Sequence, residues 1–402
     1  GRSSNGSIFM AYNPVFRWNW QNTLNYQTVI ADDHNINVTG GLEYQFTNRY
    51  NFSAQGTDIS DNFYRLQNLI SGSYNNQFSG GGYTEQGFDS YFGRFNYSFK
   101  GKYLASFTVR NDGLSDLIGD NKRGTFFGGS VGWRVSDEGF FNSELISDLK
   151  FRASYAEVGN SGIGSFAAFG GFSPVLGGAG AGIGYARVSN AGLQWETSKK
   201  FNVGLDMTIG KVTLAVDYFK NNVDGIVLNA PTAPSLGIPG NTISQNVGEM
   251  YNQGFEFRAM ANVINNGKFS WNTDFNFTFI ENEVTNLVQP LTGTYNRTVV
   301  GGPIAQLYGF RWAGVNPANG NPLYYSGDQI VQYDLRPSGQ GGLLFKTYDP
   351  SNPSDVSTRS SAPTQEFLGN TLPKWQGGWS NSFNYGNWDA EIFVRYSGGN
   401  YI

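Results

Sequence analysis

At 402 residues the chain has the length of two or three ordinary soluble domains, yet 39% of it is hydrophobic, 16% aromatic and 14% charged. With no cysteine and a single histidine, His34, it has no disulfides or thiolate ligands and little room for a His-rich metal site or a Ser-His-Asp triad. A net charge of −4 gives no footprint for nucleic acid. The mean hydropathy is −0.37, and no run approaches the ~20 apolar residues of a membrane-spanning helix. A membrane barrel stays open, because its strands are only half apolar.

Along the chain, segment 61–70 has weak helical spacing and predicts a short loop helix. Strict period-2 alternation follows. Tyr103, Ala105, Phe107 and Val109 oppose Ser106, Thr108 and Arg110. Leu149, Phe151, Ala153 and Tyr155 oppose Lys150, Arg152 and Ser154. Phe201 to Ile209 and Val212 to Tyr218 repeat the pattern, with Asp206 and Asp217 on the polar side. After the Asn265-Asn266-Gly267 turn, Phe269, Trp271, Phe275, Phe277 and Phe279 oppose Ser270, Asn272, Asp274, Asn276 and Thr278. Trp388 to Tyr396 is the last such strand.

The 54 glycines and many Asn and Ser residues suit turns and loops. Short links at 100–102, 210–211, 265–267 and 386–387 alternate with long ones near 111–124, 159–192, 221–245 and 287–375. Tight turns at one rim and large loops at the other are the asymmetry of outer-membrane barrels. Segment 285–375 carries Pro303, Pro317, Pro322, Pro350, Pro353 and Pro363, too many breakers for uninterrupted spanning strands. The chain starts at Gly1 without a signal peptide and stops just past a strand, at Ile402. The expectation is a fragment, residues 1–402, of a single barrel domain.

Several segments resemble the C-terminal barrel portion of the SusC/RagA-like, TonB-linked outer-membrane transporters. They are Ser90–Tyr97, Lys102–Arg110 with Asp112-Gly113, Trp133–Phe141, Leu149–Tyr155 with Val158-Gly159-Asn160, and Leu193–Thr197 leading into Asn202–Asp206. Asp217–Phe219, Asn246–Met250, Asn252–Glu256, Gly302-Pro303-Ile304, and Gly369–Lys374 before Gly377-Gly378 complete the series, in the family's order, over roughly residues 85–402. Leu114-Ser115-Asp116-Leu117 departs from the family's usual Ser-Ser-Arg-Phe-like run after Arg-x-Asp-Gly.

The resemblance implies an all-β fold: a partial antiparallel transmembrane β-barrel, about a dozen strands of a wall of ~22. It implies import of a bulky nutrient, an oligosaccharide or peptide, without enzymatic chemistry or a cofactor. The partners it implies are the lipid bilayer, a SusD-like surface lipoprotein over the long loops, and TonB acting through an N-terminal region. That region, the plug domain and the final strands lie outside these residues. A scaffold among other outer-membrane proteins is the alternative, and a secreted β-sandwich adhesin a third reading.

Charged side chains near a bilayer midplane cost roughly 2–4 kcal/mol for Arg, so Arg94, Arg110, Arg152, Asp206, Asp217 and Asp274 are expected to face the lumen or plug. Tyr308, Phe310 and Trp312, in the long segment, are candidates for substrate or partner contact or for pinning that loop. Gly162-Ile-Gly-Ser-Phe-Ala167 fits a loose dinucleotide pattern, but the glycines after it forbid the helix that reading needs, so a flexible rim loop is expected. Asp112, Asp116 and Asp120 lack EF-hand spacing and read as solvated loop carboxylates rather than calcium ligands. His34 is expected at the surface or in a turn.

Overall fold

The computed structural model describes residues 6–59, 74–177, 180–334, 344–354, 359–360 and 362–401. The helix expected over 61–70 lies outside the described residues. Among those residues, thirteen strands belong to one large sheet. They are β1 (Ser7–Tyr12), β2 (Val15–Ile30), β3 (His34–Ile59), β4 (Tyr74–Phe99), β5 (Tyr103–Leu114), β6 (Arg123–Arg134) and β7 (Ile146–Asn160). Then come β8 (Glu196–Ile209), β9 (Val212–Pro231), β10 (Thr242–Asn265), β11 (Phe269–Asn286), β12 (Trp375–Tyr385) and β13 (Trp388–Gly398). The chain divides into two compact units, Gly1–Arg134 with Arg152–Lys200 and Val223–Val247, and Val135–Phe151 with Phe201–Asn222 and Gly248–Ile402.

In the first unit β1 and β2 both pair with β3, at opposite ends of its length, and β3 pairs with β4 from His34↔Phe99 to Ile59↔Tyr74. β4 pairs with β5 and β5 with β6, all antiparallel. The link between β4 and β5 is Lys100-Gly101-Lys102, with φ of 53° and 69° at Lys100 and Gly101, the left-handed pair that matches a hairpin's twist. An equally short link at 31–33, missed in the sequence because it holds no glycine, uses Ala31 and Asp32 at φ 51° and 58°.

The buried apolar cluster of this unit lies under its loops. Leu114, Leu117, Phe126, Ala168, Leu193 and Trp195 form it, with Phe126 edge-on to Trp195 at 5.6 Å. Residues 163–169 pack on it and lead into a hairpin of strands Gly171–Gly177 and Gly180–Arg187, so the glycine-rich stretch is an anchored turn rather than a flexible loop. The element directly after Ala167 is the strand Gly171–Gly177 and not a helix, so the dinucleotide reading lapses.

In the second unit β10, β11, β12 and β13 pair in that order, with Phe257↔Phe277, Phe275↔Trp379 and Trp379↔Val394 in register. The described residues of segment 287–374 are folded. Four short strands, Leu291–Thr292, Asn296–Thr298, Gln306–Gly309 and Glu366–Gly369, make one small sheet. Five more, from Trp312–Val315 to Arg359–Ser360, make another over buried Leu323, Val331 and Phe345. Prolines forbid long strands but not these short ones. Strands elsewhere run farther than the pattern predicts. The loop expected over 221–245 contracts to 232–241, because β9 continues to Pro231 and β10 starts at Thr242 through polar residues with little alternation.

The two faces of the wall invert the burial rule of soluble proteins. Phe107, Val131 and Ile392 on the apolar face are 51%, 60% and 56% exposed, while Ser90, Glu43 and Asp112 on the other face are 1%, 9% and 8% exposed. Apolar rings left open over polar groups closed off suit a sheet whose apolar face meets hydrocarbon. One polar pair does occur among the rings of the second unit: Thr273 stands opposite Asn381. The indole N–H of Trp271 donates to Asn381 Oδ1 at 3.0 Å, and that of Trp379 donates to Thr273 Oγ1 at 2.8 Å. The two indoles cap the two polar side chains.

Candidate functional site: polar wall and folded rim

On the polar face of the first unit, alternation brings Glu43 of β3, Ser90 of β4 and Arg110 and Asp112 of β5 side by side. Arg110 donates through Nε to Asp112 Oδ1 at 3.3 Å, and through Nη2 to Ser90 Oγ at 2.8 Å and Glu43 Oε2 at 3.4 Å. The Ser90 hydroxyl donates to Asp112. Asn19 and Gln45 donate to the remaining Glu43 oxygen at 3.2 and 2.6 Å. The guanidinium lies 5.3 Å over the Phe92 ring. Two nearly closed carboxylates thus share one cation and a set of neutral donors, which compensates their desolvation.

Of the residues expected to line this face, Arg110 lies at its centre. Arg94 is exposed and donates to Asn96 at 3.2 Å, outside the network. Arg152, Asp206 and Asp217 are each half-buried and engaged with other groups. Asp274 in the second unit takes two hydrogen bonds from Arg258, at 3.0 and 2.6 Å. Sequence reasoning missed Glu43, Ser90 and Arg258 as partners, since pairing register decides them. The odd-numbered polar positions of β3 were the available signal.

Two of the three aspartates expected as solvated loop carboxylates, Asp112 and Asp116, are buried instead. Asp112 belongs to the Arg110 network. Asp116 is fully buried, accepting from Gln86 Nε2 at 2.6 Å and from the Phe166 N–H at 2.8 Å. It ties β4 to the 163–169 turn. Asp120 alone is exposed, in a short helical turn at Gly119–Lys122. His34 opens β3 and shares a 2.8 Å hydrogen bond with the Tyr97 hydroxyl, its ring 4.7 Å from Phe99.

In the rim segment Tyr308 accepts from Arg297 Nη1 at 3.0 Å and lies 5.2 Å from Phe367. Phe310 lies 5.8 Å from Tyr324 and 6.1 Å from Phe345, inside the five-stranded sheet. Trp312, edge-on to Tyr324, stays 54% exposed. Two of the rings therefore pack the loop, and one is open. Below them Ser351 donates its hydroxyl and N–H to Asp349 at 2.7 and 2.8 Å, holding that carboxyl below its usual range.

The family model described as TonB dependent receptor-like, beta-barrel, matches residues 3–402. TonB-dependent receptor P3 of Formosa agariphila is 30% identical over 388 residues, 92% of this chain and 37% of the receptor. TonB-dependent receptor SusC of Bacteroides thetaiotaomicron is 34% identical over 211 residues, 49% of this chain and 21% of SusC. The chain therefore spans well under half the length of the curated relatives it matches. Among solved structures, the RagAB peptide importer in its open-open state superposes with a TM-score of 0.77 at 21% identity, over 98% of this chain and 41% of that one. The exposed aromatic face, the closed polar face and these matches agree: the chain belongs to the TonB-dependent receptor β-barrel family, in its SusC/RagA-like branch, and is an outer-membrane protein.

Proposed function

We propose that the chain is wall and rim of a TonB-dependent importer of a bulky nutrient, an oligosaccharide or a peptide, and that it performs no covalent chemistry. The single observation that carries this reading is the Arg110 network: a cation and two carboxylates held on the polar face of a sheet whose other face is open aromatic surface. Such groups belong on the water-filled side of a barrel wall. In this reading Arg94, Arg110, Arg152, Asp206, Asp217 and Asp274 face the lumen or a plug, and Trp312 is the rim ring free to meet cargo. A SusD-like surface lipoprotein covers the long-loop side, and TonB supplies the energy. RagAB, a peptide importer by its description, supports the transport class.

The test is uptake by an in-frame deletion strain across neutral and charged glycans and peptides, with complementation by the full-length gene. Loss of uptake of one substrate class is expected. Unchanged uptake of every candidate would sink the reading.

A further inference from the structure

Two phenylalanines break the rule of the polar face. Odd positions of β3 from Asn35 to Thr57 carry Asn, Thr, Gly, Glu, Gln, Arg and Ser, with no apolar side chain among them. In the row of Gln55, however, register places Phe9 of β1 on one side and Phe78 of β4 on the other. They are 64% and 59% exposed. Two other rings on this face of β4 are covered: Phe88 packs on the Leu114 cluster, and Phe92 lies under the Arg110 guanidinium. Phe9 and Phe78 have no such cover.

The next row is Ala11, Ser53 and Gly80, where a methyl added at Gly80 would come no nearer than 3.7 Å to Ser53 Oγ. The two rings thus stand two strand spacings apart, about 10 Å, over an amide and beside a floor of small side chains. Residues 7–12, 50–57 and 76–84 carry no charge, and Asp58, next along β3, is the one charged side chain among the described residues at this end of the ribbon.

We infer that Phe9, Gln55 and Phe78 form a binding cleft for a neutral sugar unit of an oligosaccharide. The C–H edges of a pyranose carry slight positive charge and lie against the negative faces of phenyl rings, while Gln55, with both a donor and acceptors, matches a hydroxyl. A peptide's charged ends and side chains find no counter-charge in the rows of Gln55 and Ser53. This inference rests on the importer reading and narrows its cargo to the glycan side.

The experiment is calorimetric binding of maltohexaose, xylohexaose, cellohexaose and a capped phenylalanine-containing hexapeptide to the detergent-solubilised full-length protein. It compares wild type with Phe9→Ala/Phe78→Ala and with Tyr12→Ala/Phe52→Ala. The second pair sits on the opposite face of the same ribbon. Heat-modifiable migration in gels confirms that each variant is folded.

At least one neutral hexasaccharide is expected to bind, with affinity roughly tenfold weaker in the Phe9/Phe78 variant and unchanged in the Tyr12/Phe52 variant. Unchanged affinity in the first variant, an equal loss in both, or binding of the peptide alone overturns the cleft. Uptake by the deletion strain is scored separately. If a glycan is imported but the cleft variant binds it normally, the cleft fails and the importer reading stands. If nothing is imported, the importer reading fails, and binding alone decides the cleft.

Discussion

The two charge arrangements on the polar face differ in a way that separates geometry from energy. Arg258 and Asp274 make the better-formed ion pair, with two short hydrogen bonds, but their side chains are 52% and 35% exposed. Arg110 has longer contacts, yet it holds Glu43 and Asp112, whose side chains are each 11% exposed. Water can replace either partner in the first case and neither carboxylate's partner in the second. Burial therefore decides which arrangement the fold depends on, and hydrogen-bond length does not.

Arg110→Met should have the largest effect, because it strands two closed carboxylates beside each other. A loss of about 3–5 kcal/mol is expected, read by guanidinium unfolding of the barrel in detergent micelles. A second change, Glu43→Gln with Asp112→Asn in the Arg110→Met background, should recover part of it; no recovery would mean the loss comes from packing on Phe92. Next is Asp116→Ala, which takes the acceptor from the Phe166 N–H and leaves Gln86 Nε2 with its longer bond to the Ser161 carbonyl at 3.3 Å. A cost of about 1–3 kcal/mol is expected, with hydrogen exchange rising in residues 163–169 before the wall opens.

Trp271→Phe uncovers Asn381 in the aromatic face and should cost about 1–3 kcal/mol. Adding Asn381→Leu should return most of that, since polar group and cap then leave together. The smallest effect belongs to Arg258→Met, about 0.2–1 kcal/mol, fading further at high salt. If Arg258→Met proved as damaging as Arg110→Met, exposure would not be the governing variable.

The wall was legible because alternation is local: Phe269 to Phe279 and Trp388 to Tyr396 announce their faces with no knowledge of neighbours. The tight turns were legible where glycine marked them, and hidden at Ala31-Asp32, where the chain accepts a left-handed conformation without it. What stayed hidden depends on which segments meet. Asp116 reads as one more loop carboxylate until residues 163–169 close over it. Tyr308 and Phe310 look like surface rings until the short strands of segment 287–374 assemble around them. Phe9 passes for an ordinary strand residue until pairing sets it across Gln55 from Phe78.

One consequence follows from the length of β3 and β4, 26 residues each. On the apolar face of β3 the rings run on past Phe46 to Tyr50 and Phe52, so Gln55, on the opposite face, sits three residues, about 10 Å of strand, beyond the last of them. The rungs that β4 shares with β5 end at Phe88↔Leu114, so Phe78 lies ten residues, roughly 33 Å of strand, beyond the last of them. Removing four residues from each strand, 49–52 of β3 and their partners 81–84 of β4, keeps every face in phase. It would shorten the reach while leaving the wall intact.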